Sequence, residues 1–92
     1  MTLFEAFQSI KTKQEFYAFM DDLCTASERR YLNERWRIAQ LLFEKRLSQK
    51  DIAKKNQFGI ATITRVSKCL FENPNSGYKM ILERANGAPA KK

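Results

Sequence analysis

Histidine is absent from this 92-residue sequence. Its absence excludes Ser-His-Asp and Cys-His nucleophile activation, and with them any histidine-containing metal site. Cysteine is scarce. Cys24 and Cys69 stand far apart with no second pair beside either, too few for a four-ligand zinc site in one chain. The ordinary expectation for both is a buried, reduced thiol in a cytosolic protein. Only three glycines occur, Gly59, Gly77 and Gly87, and they compose no phosphate-cradling loop. No apolar run nears the roughly 18 residues of a membrane span, and Met1-Thr2-Leu3-Phe4-Glu5 lacks the basic start of a signal peptide. The expectation is a cytoplasmic protein that is no enzyme and carries neither metal nor membrane anchor.

What is present fits one small globular domain. Apolar residues make up 43% and charged residues 29%, far from a disordered composition. We assign residues 1–86 to a single domain and 87–92 to a flexible basic tail. A chain this short buries a modest core, so a second copy would add to it. The net charge of +7 is unevenly spread: residues 1–28 carry −3, residues 29–69 carry +8 and residues 70–92 carry +2. A compact basic segment is the electrostatic footprint of a phosphate-binding surface, although a solvated helix face has the same composition.

The periodicity is helical throughout, with no alternating strand pattern. Leu3, Phe4, Phe7 and Ile10 recur at helical spacing, and Thr12 with Glu15 forms a capping box ahead of Phe16, Tyr17, Phe19, Met20 and Leu23. Thr25 with Glu28 opens the longest helix, about 26–46. There Leu32, Trp36, Ala39 and Phe43 form an apolar stripe with Tyr31, Ile38 and Leu42 beside it, and Arg29, Arg30, Arg35 and Arg37 are interleaved. These stripes read as core or dimer interface.

Ser48 caps a short helix from Gln49 to about Asn56, with Ile52 and Ala53 inward and Lys50, Lys54 and Lys55 outward. A tight turn follows at Asn56-Gln57-Phe58-Gly59, where Gly59 can take a positive φ. The next run, Ile60 to Leu70, places Ile63, Val66 or Ser67, and Leu70 on one face. A short helix, a glycine turn and a helix rich in small and hydroxyl residues make a helix-turn-helix pattern. Ile60, Ala61, Thr62 and Thr64 let a backbone approach the major groove, and Lys68 can reach phosphate or guanine. Pro74 ends this helix, and Tyr78, Ile81 and Leu82 mark a last short one.

With these motifs in view, Thr25–Leu70 resembles the Trp repressor superfamily without a gap, most specifically in Gly59-Ile-Ala-Thr-Ile-Thr-Arg65. Asp21-Asp-Leu-Cys-Thr25, Thr62-Ile-Thr-Arg-Val66 and Gly77-Tyr78 with Met80–Arg84 are similar to its YerC/YecD branch. The resemblance implies an all-α, intertwined homodimer of about six short helices per chain, with a reading head in each copy. It implies that Lys50, Ile60, Ala61 and Thr64 face bases or their phosphates, and that Gln49, Gly59 and Thr62 contact backbone or orient the head. Lys54 and Lys68 join this DNA-binding set as phosphate partners. One base-contacting position of the family falls on Ala53, which can make no charged bond, so the target should differ from the Trp operator.

The resemblance also locates a tryptophan pocket, matched here by Arg35, Arg65 and Thr25. Three replacements argue against its use. Val66 stands in place of a glycine beside the ligand, and overpacking of this kind costs about 1–3 kcal/mol. Cys69 replaces a serine that would bind the amino group, and Asp22 replaces an apolar pocket residue. No cofactor is therefore expected, tryptophan included, and Arg35 and Arg65 are left as phosphate contacts or partners in ion pairs.

Together these features point to a sequence-specific transcriptional regulator, a repressor, that binds pseudo-palindromic double-stranded DNA as a homodimer at the nucleoid. Two other classes remain open on the sequence: a protein-interaction module with a merely solvated basic face, and a general nucleoid-type or RNA-binding protein.

Overall fold

Short side chains set where the helices start. In the computed structural model, which describes residues 1–44, 48–56 and 58–85, the order is α1 (Leu3–Gln8), α2 (Lys13–Leu23), α3 (Ala26–Glu44), α4 (Gln49–Asn56), α5 (Ile60–Phe71) and α6 (Gly77–Ala85). No strand occurs among the described residues. The expected extension of α3 to 46, Leu47 and Gln57 near the head, and the tail 87–92 lie outside them.

Thr25 and Glu28 form the reciprocal box that opens α3: the Thr25 hydroxyl accepts from the Glu28 N–H, and the Glu28 carboxylate accepts from the Thr25 N–H at 2.8 Å. A similar box at Thr2 and Glu5 opens α1. At Thr12 the box is altered. The hydroxyl accepts from Glu15, but the returning carboxylate takes the Lys11 N–H, one residue earlier. Ser48 caps α4 by accepting from Asp51, and the buried Ser76 caps α6 by accepting from Lys79. Such caps contribute about 1 kcal/mol each.

The chain divides into two compact units, Met1–Leu32 and Asn33–Lys92, with the boundary inside α3. In the first unit Phe7 meets Phe19 edge-on, with ring centroids 5.4 Å apart, and Arg29 pairs with Asp21 at 2.8 Å. None of its residues is buried. Phe4 keeps 67% of its surface exposed, and Leu3, Tyr17, Tyr31 and Leu32 are exposed as well.

The second unit holds the core: Ile38, Ala39 and Leu42 from α3, Ile52 from α4, Ile63, Val66 and Leu70 from α5, and Leu82 from α6. Trp36, Leu41, Phe43, Ala53, Phe58 and Tyr78 pack around it. On α3 the expected stripe is therefore shifted. Ile38, Ala39 and Leu42 are the buried set, Trp36 and Phe43 flank it, and Leu32 faces solvent.

Candidate nucleic-acid interface

The helix-turn-helix pattern is realised by α4 and α5. Ile52, the inward residue of α4, is fully buried in the same cluster as Ile63, Val66 and Leu70 of α5, so the two helices share one apolar seam. With that seam inside, the opposite faces are fixed by helical spacing. Lys50, Lys54 and Lys55 are exposed on α4. On α5, Ala61, Thr64, Arg65, Lys68 and Cys69 line an open groove of about 350 Å³. Arg65 and Lys68 project freely, while Thr64 and Cys69 are half-buried at the groove's edge. Both cysteines are free thiols, and both are half-buried, where full burial was expected.

The N-terminus of α5 is open. Gly59 caps it with backbone alone, and no side chain accepts from the first turn. The helix's first internal bond runs from the Ile63 N–H to the Gly59 carbonyl at 3.2 Å, leaving the three preceding N–H groups without intrahelical acceptors. These amides and the helix dipole favour an anion there. Gly59 itself corrects the sequence reading. Its φ is −66° with ψ at 137°, an extended conformation open to any residue, so no positive φ is required. A Cβ built on it would meet only the Thr62 hydroxyl, at 3.9 Å. Glycine keeps the entrance to α5 bare.

The remaining candidates fall in different settings. Ile60 is 54% exposed at the helix tip, next to the exposed Ala61, and Thr62 is half-buried. Gln49, expected at the DNA backbone or as a head-orienting residue, donates from Nε2 to the Ser67 hydroxyl at 3.2 Å. Ala53 is half-buried against the core. The hydroxyl of Thr25 belongs to the first unit and is taken up by the cap of α3. Arg35 is half-buried in the second unit, and its Nε is buried with no partner among the described residues. Val66 is 1% exposed and is an integral core residue.

Two relationships escaped the sequence reading. Ser67 appeared only as an alternative inward residue, although a hydroxyl at the edge of the Ile63–Val66–Leu70 face signals a polar partner nearby. The other is the stack of Trp36 on Tyr78, between residues too far apart in the chain for any periodicity to link them. No described helix is long and apolar enough to cross a membrane.

Comparison with known proteins bears on most of the chain. The family model described as Trp repressor protein matches residues 1–86. The chain is 39% identical over 82 residues to the uncharacterized protein YerC of Bacillus subtilis, spanning 89% of this chain and 77% of that one. It is 38% identical over 66 residues to the Trp operon repressor homolog of Chlamydia caviae, spanning 72% of this chain and 65% of that one. The crystal structure of a TrpR-like protein from Eubacterium eligens superimposes with a TM-score of 0.82 at 39% identity, covering 92% of this chain and 86% of its own. On this match of sequence and fold, the chain belongs to the Trp repressor family.

Proposed function

We propose that this protein is a sequence-specific DNA-binding transcriptional repressor that acts as a homodimer at the nucleoid, in the cytoplasm. The observation that carries this reading is the outer face of α5: an uncapped N-terminus bearing Ile60 and Ala61, then a groove with Thr64 at its edge and Arg65 and Lys68 projecting from it. Ile60, Ala61 and Thr64 offer apolar and hydroxyl contacts to base edges in the major groove. Lys50, Lys54, Arg65 and Lys68 neutralise phosphates, which makes affinity fall steeply with salt. The bare amides of the α5 tip, with Gly59 and Thr62 beside them, take a phosphate oxygen.

The first unit supports the homodimer. A segment of 32 residues that leaves Leu3, Phe4, Tyr17, Tyr31 and Leu32 in water has not finished burying its apolar surface, and a second copy offers the matching surface. The unpartnered Arg35 Nε would find an acceptor in such an assembly. Two-fold symmetry then places two copies of α5 about one helical turn of DNA apart.

Two residues support a repressor that works without tryptophan. Val66, which the family resemblance sets beside the indole, is 1% exposed and lies in the core cluster with Ile63 and Leu70, and the half-buried thiol of Cys69 is a poor partner for an ammonium group. We therefore propose a repressor that needs no tryptophan, its occupancy set by its own concentration or by another partner.

Selection of bound sites from random duplex DNA at near-physiological salt tests the function. The expected result is enrichment of a pseudo-palindrome. Binding without enrichment would reduce the protein to an architectural one, and no binding would remove DNA from its function.

A further inference from the structure

The hydrogen bond from Gln49 to Ser67 joins the first residue of α4 to the middle of α5. In the second unit, among the described residues, it is the one side-chain hydrogen bond between two helices; the others span at most four residues. Its location gives it leverage. The chain joins the two helices at the other end, where α4 stops at Asn56 and α5 starts at Ile60. Ile52 and Ile63 fill the space between, but apolar contacts are non-directional and tolerate a small slide or tilt. A tilt of about 10° around the turn would displace Lys68, roughly 12 Å along α5 from Ile60, by about 2 Å. Base readout depends on hydrogen bonds that weaken over a few tenths of that distance.

We propose that Gln49 and Ser67 form a positioning pair that fixes the angle of α5 against α4, and that Gln49 acts on DNA through Ser67 instead of through a phosphate. This inference rests on the DNA-reading function proposed above. It assigns a role to Ser67, a half-buried residue at the edge of the apolar seam whose bond with Gln49 is exposed, and which does not line the groove on the outer face. Gln49 is neutral, so its removal leaves the charge facing the duplex unchanged.

The test compares Gln49→Ala, Ser67→Ala, the double variant and Ser67→Thr, which keeps the hydroxyl. Each alanine variant should lower the ratio of affinities for the selected duplex and a scrambled one by about 3- to 10-fold, the worth of one neutral hydrogen bond. The double variant should lose no more than either single one, Ser67→Thr should keep discrimination within about two-fold, and the salt slope should stay constant throughout. If Gln49→Ala instead weakens binding to every duplex and lowers the salt slope while Ser67→Ala is silent, Gln49 is a phosphate contact and the pair is overturned. Additive losses in the double variant overturn it too. Hydrogen exchange on the DNA-free protein separates this inference from the function it rests on. Both single variants should speed exchange of the Ile52–Asn56 amides by about 3- to 10-fold, with no further gain in the double variant. Failure of the wild type to discriminate between duplexes would overturn the proposed function, and unchanged exchange in Ser67→Ala would overturn the tie itself.

Discussion

Trp36 on α3 and Tyr78 on α6 stack with ring centroids 6.4 Å apart and planes inclined by 26°. The contact fastens the last helix to the end of α3 that carries Ile38, Ala39 and Leu42, and so to the cluster that packs against α5. Offset stacks of this kind add about 0.5–1.5 kcal/mol to the burial of the rings themselves. Trp36 is also the only tryptophan in the chain, which makes it a built-in reporter.

Tyr78→Ala should therefore destabilise the protein by about 1–3 kcal/mol and shift Trp36 fluorescence to the red as water reaches the ring. Tyr78→Phe should preserve both, because the stack needs the ring and not the hydroxyl. Denaturant melts with fluorescence detection read the two effects together. An unshifted emission maximum in Tyr78→Ala would mean that the ring contributes nothing to shielding Trp36.

Thr64 lies at the edge of the groove on α5, half-buried, where a hydroxyl can meet a base edge but adds no charge. Thr64→Ala should relax preference at one position of the target and leave affinity for random duplex nearly unchanged. Repeating the site selection with the variant shows the difference. A uniform loss across sequences would place Thr64 on the DNA backbone.

Lys68 projects from the same groove and is charged and exposed. If it meets one phosphate, Lys68→Ala should reduce the slope of log affinity against log salt by about one unit, with little change in preference. Titrations at four or five salt concentrations measure that slope. An unaltered slope would make Lys68 a solvated side chain.

Much of this arrangement was legible in the chain because local chemistry decides it. Thr25-Ala-Ser-Glu28 and Ser48-Gln-Lys-Asp51 announce helix starts through bonds spanning three residues, and the structure makes those bonds. Ile52, Ile63 and Leu70 follow from periodicity, and their burial orients the basic face of α5 without further information. The cap at Thr2 and Glu5 has the same signature and passed unread among the apolar residues around it. Tertiary partners were harder. Nothing local distinguishes Leu32, which is exposed, from Leu42, which is buried, since both lie on apolar stripes of one helix. The φ of Gly59 is a similar case: glycine permits a positive value, but the turn does not use it. The stack on Tyr78 and the bond from Gln49 to Ser67 depend on how helices cross, which no window of a single helix encodes.

The uncovered aromatic surface of the first unit leads to a prediction about assembly. Phe4 and Tyr31 lie exposed on α1 and α3, and a dimer would remove such rings from water at about 25 cal/mol per Å². Sedimentation at micromolar concentration should give twice the chain mass of 10.8 kDa. Phe4→Glu combined with Tyr31→Glu should shift the protein towards the single-chain mass and weaken binding to the full pseudo-palindrome more than to one half-site. A wild type that sediments as a single chain would contradict the homodimer.

Val66 offers the sharpest test of regulation. Its side chain is 1% exposed and packed with Ile63 and Leu70, so a planar ligand at that position must displace core atoms. Millimolar L-tryptophan should therefore leave both the melting temperature and the affinity for the selected duplex unchanged, because a ligand shifts stability only in proportion to its binding to the folded state. Val66→Gly removes the obstruction at a cost of about 2–4 kcal/mol, from the cavity and from the helix propensity of glycine. If the position lies beside a latent pocket, tryptophan should recover part of that loss in the variant and none in the wild type. Stabilisation of the wild type by tryptophan would show instead that the core opens around Val66, and ligand-independent repression would be wrong.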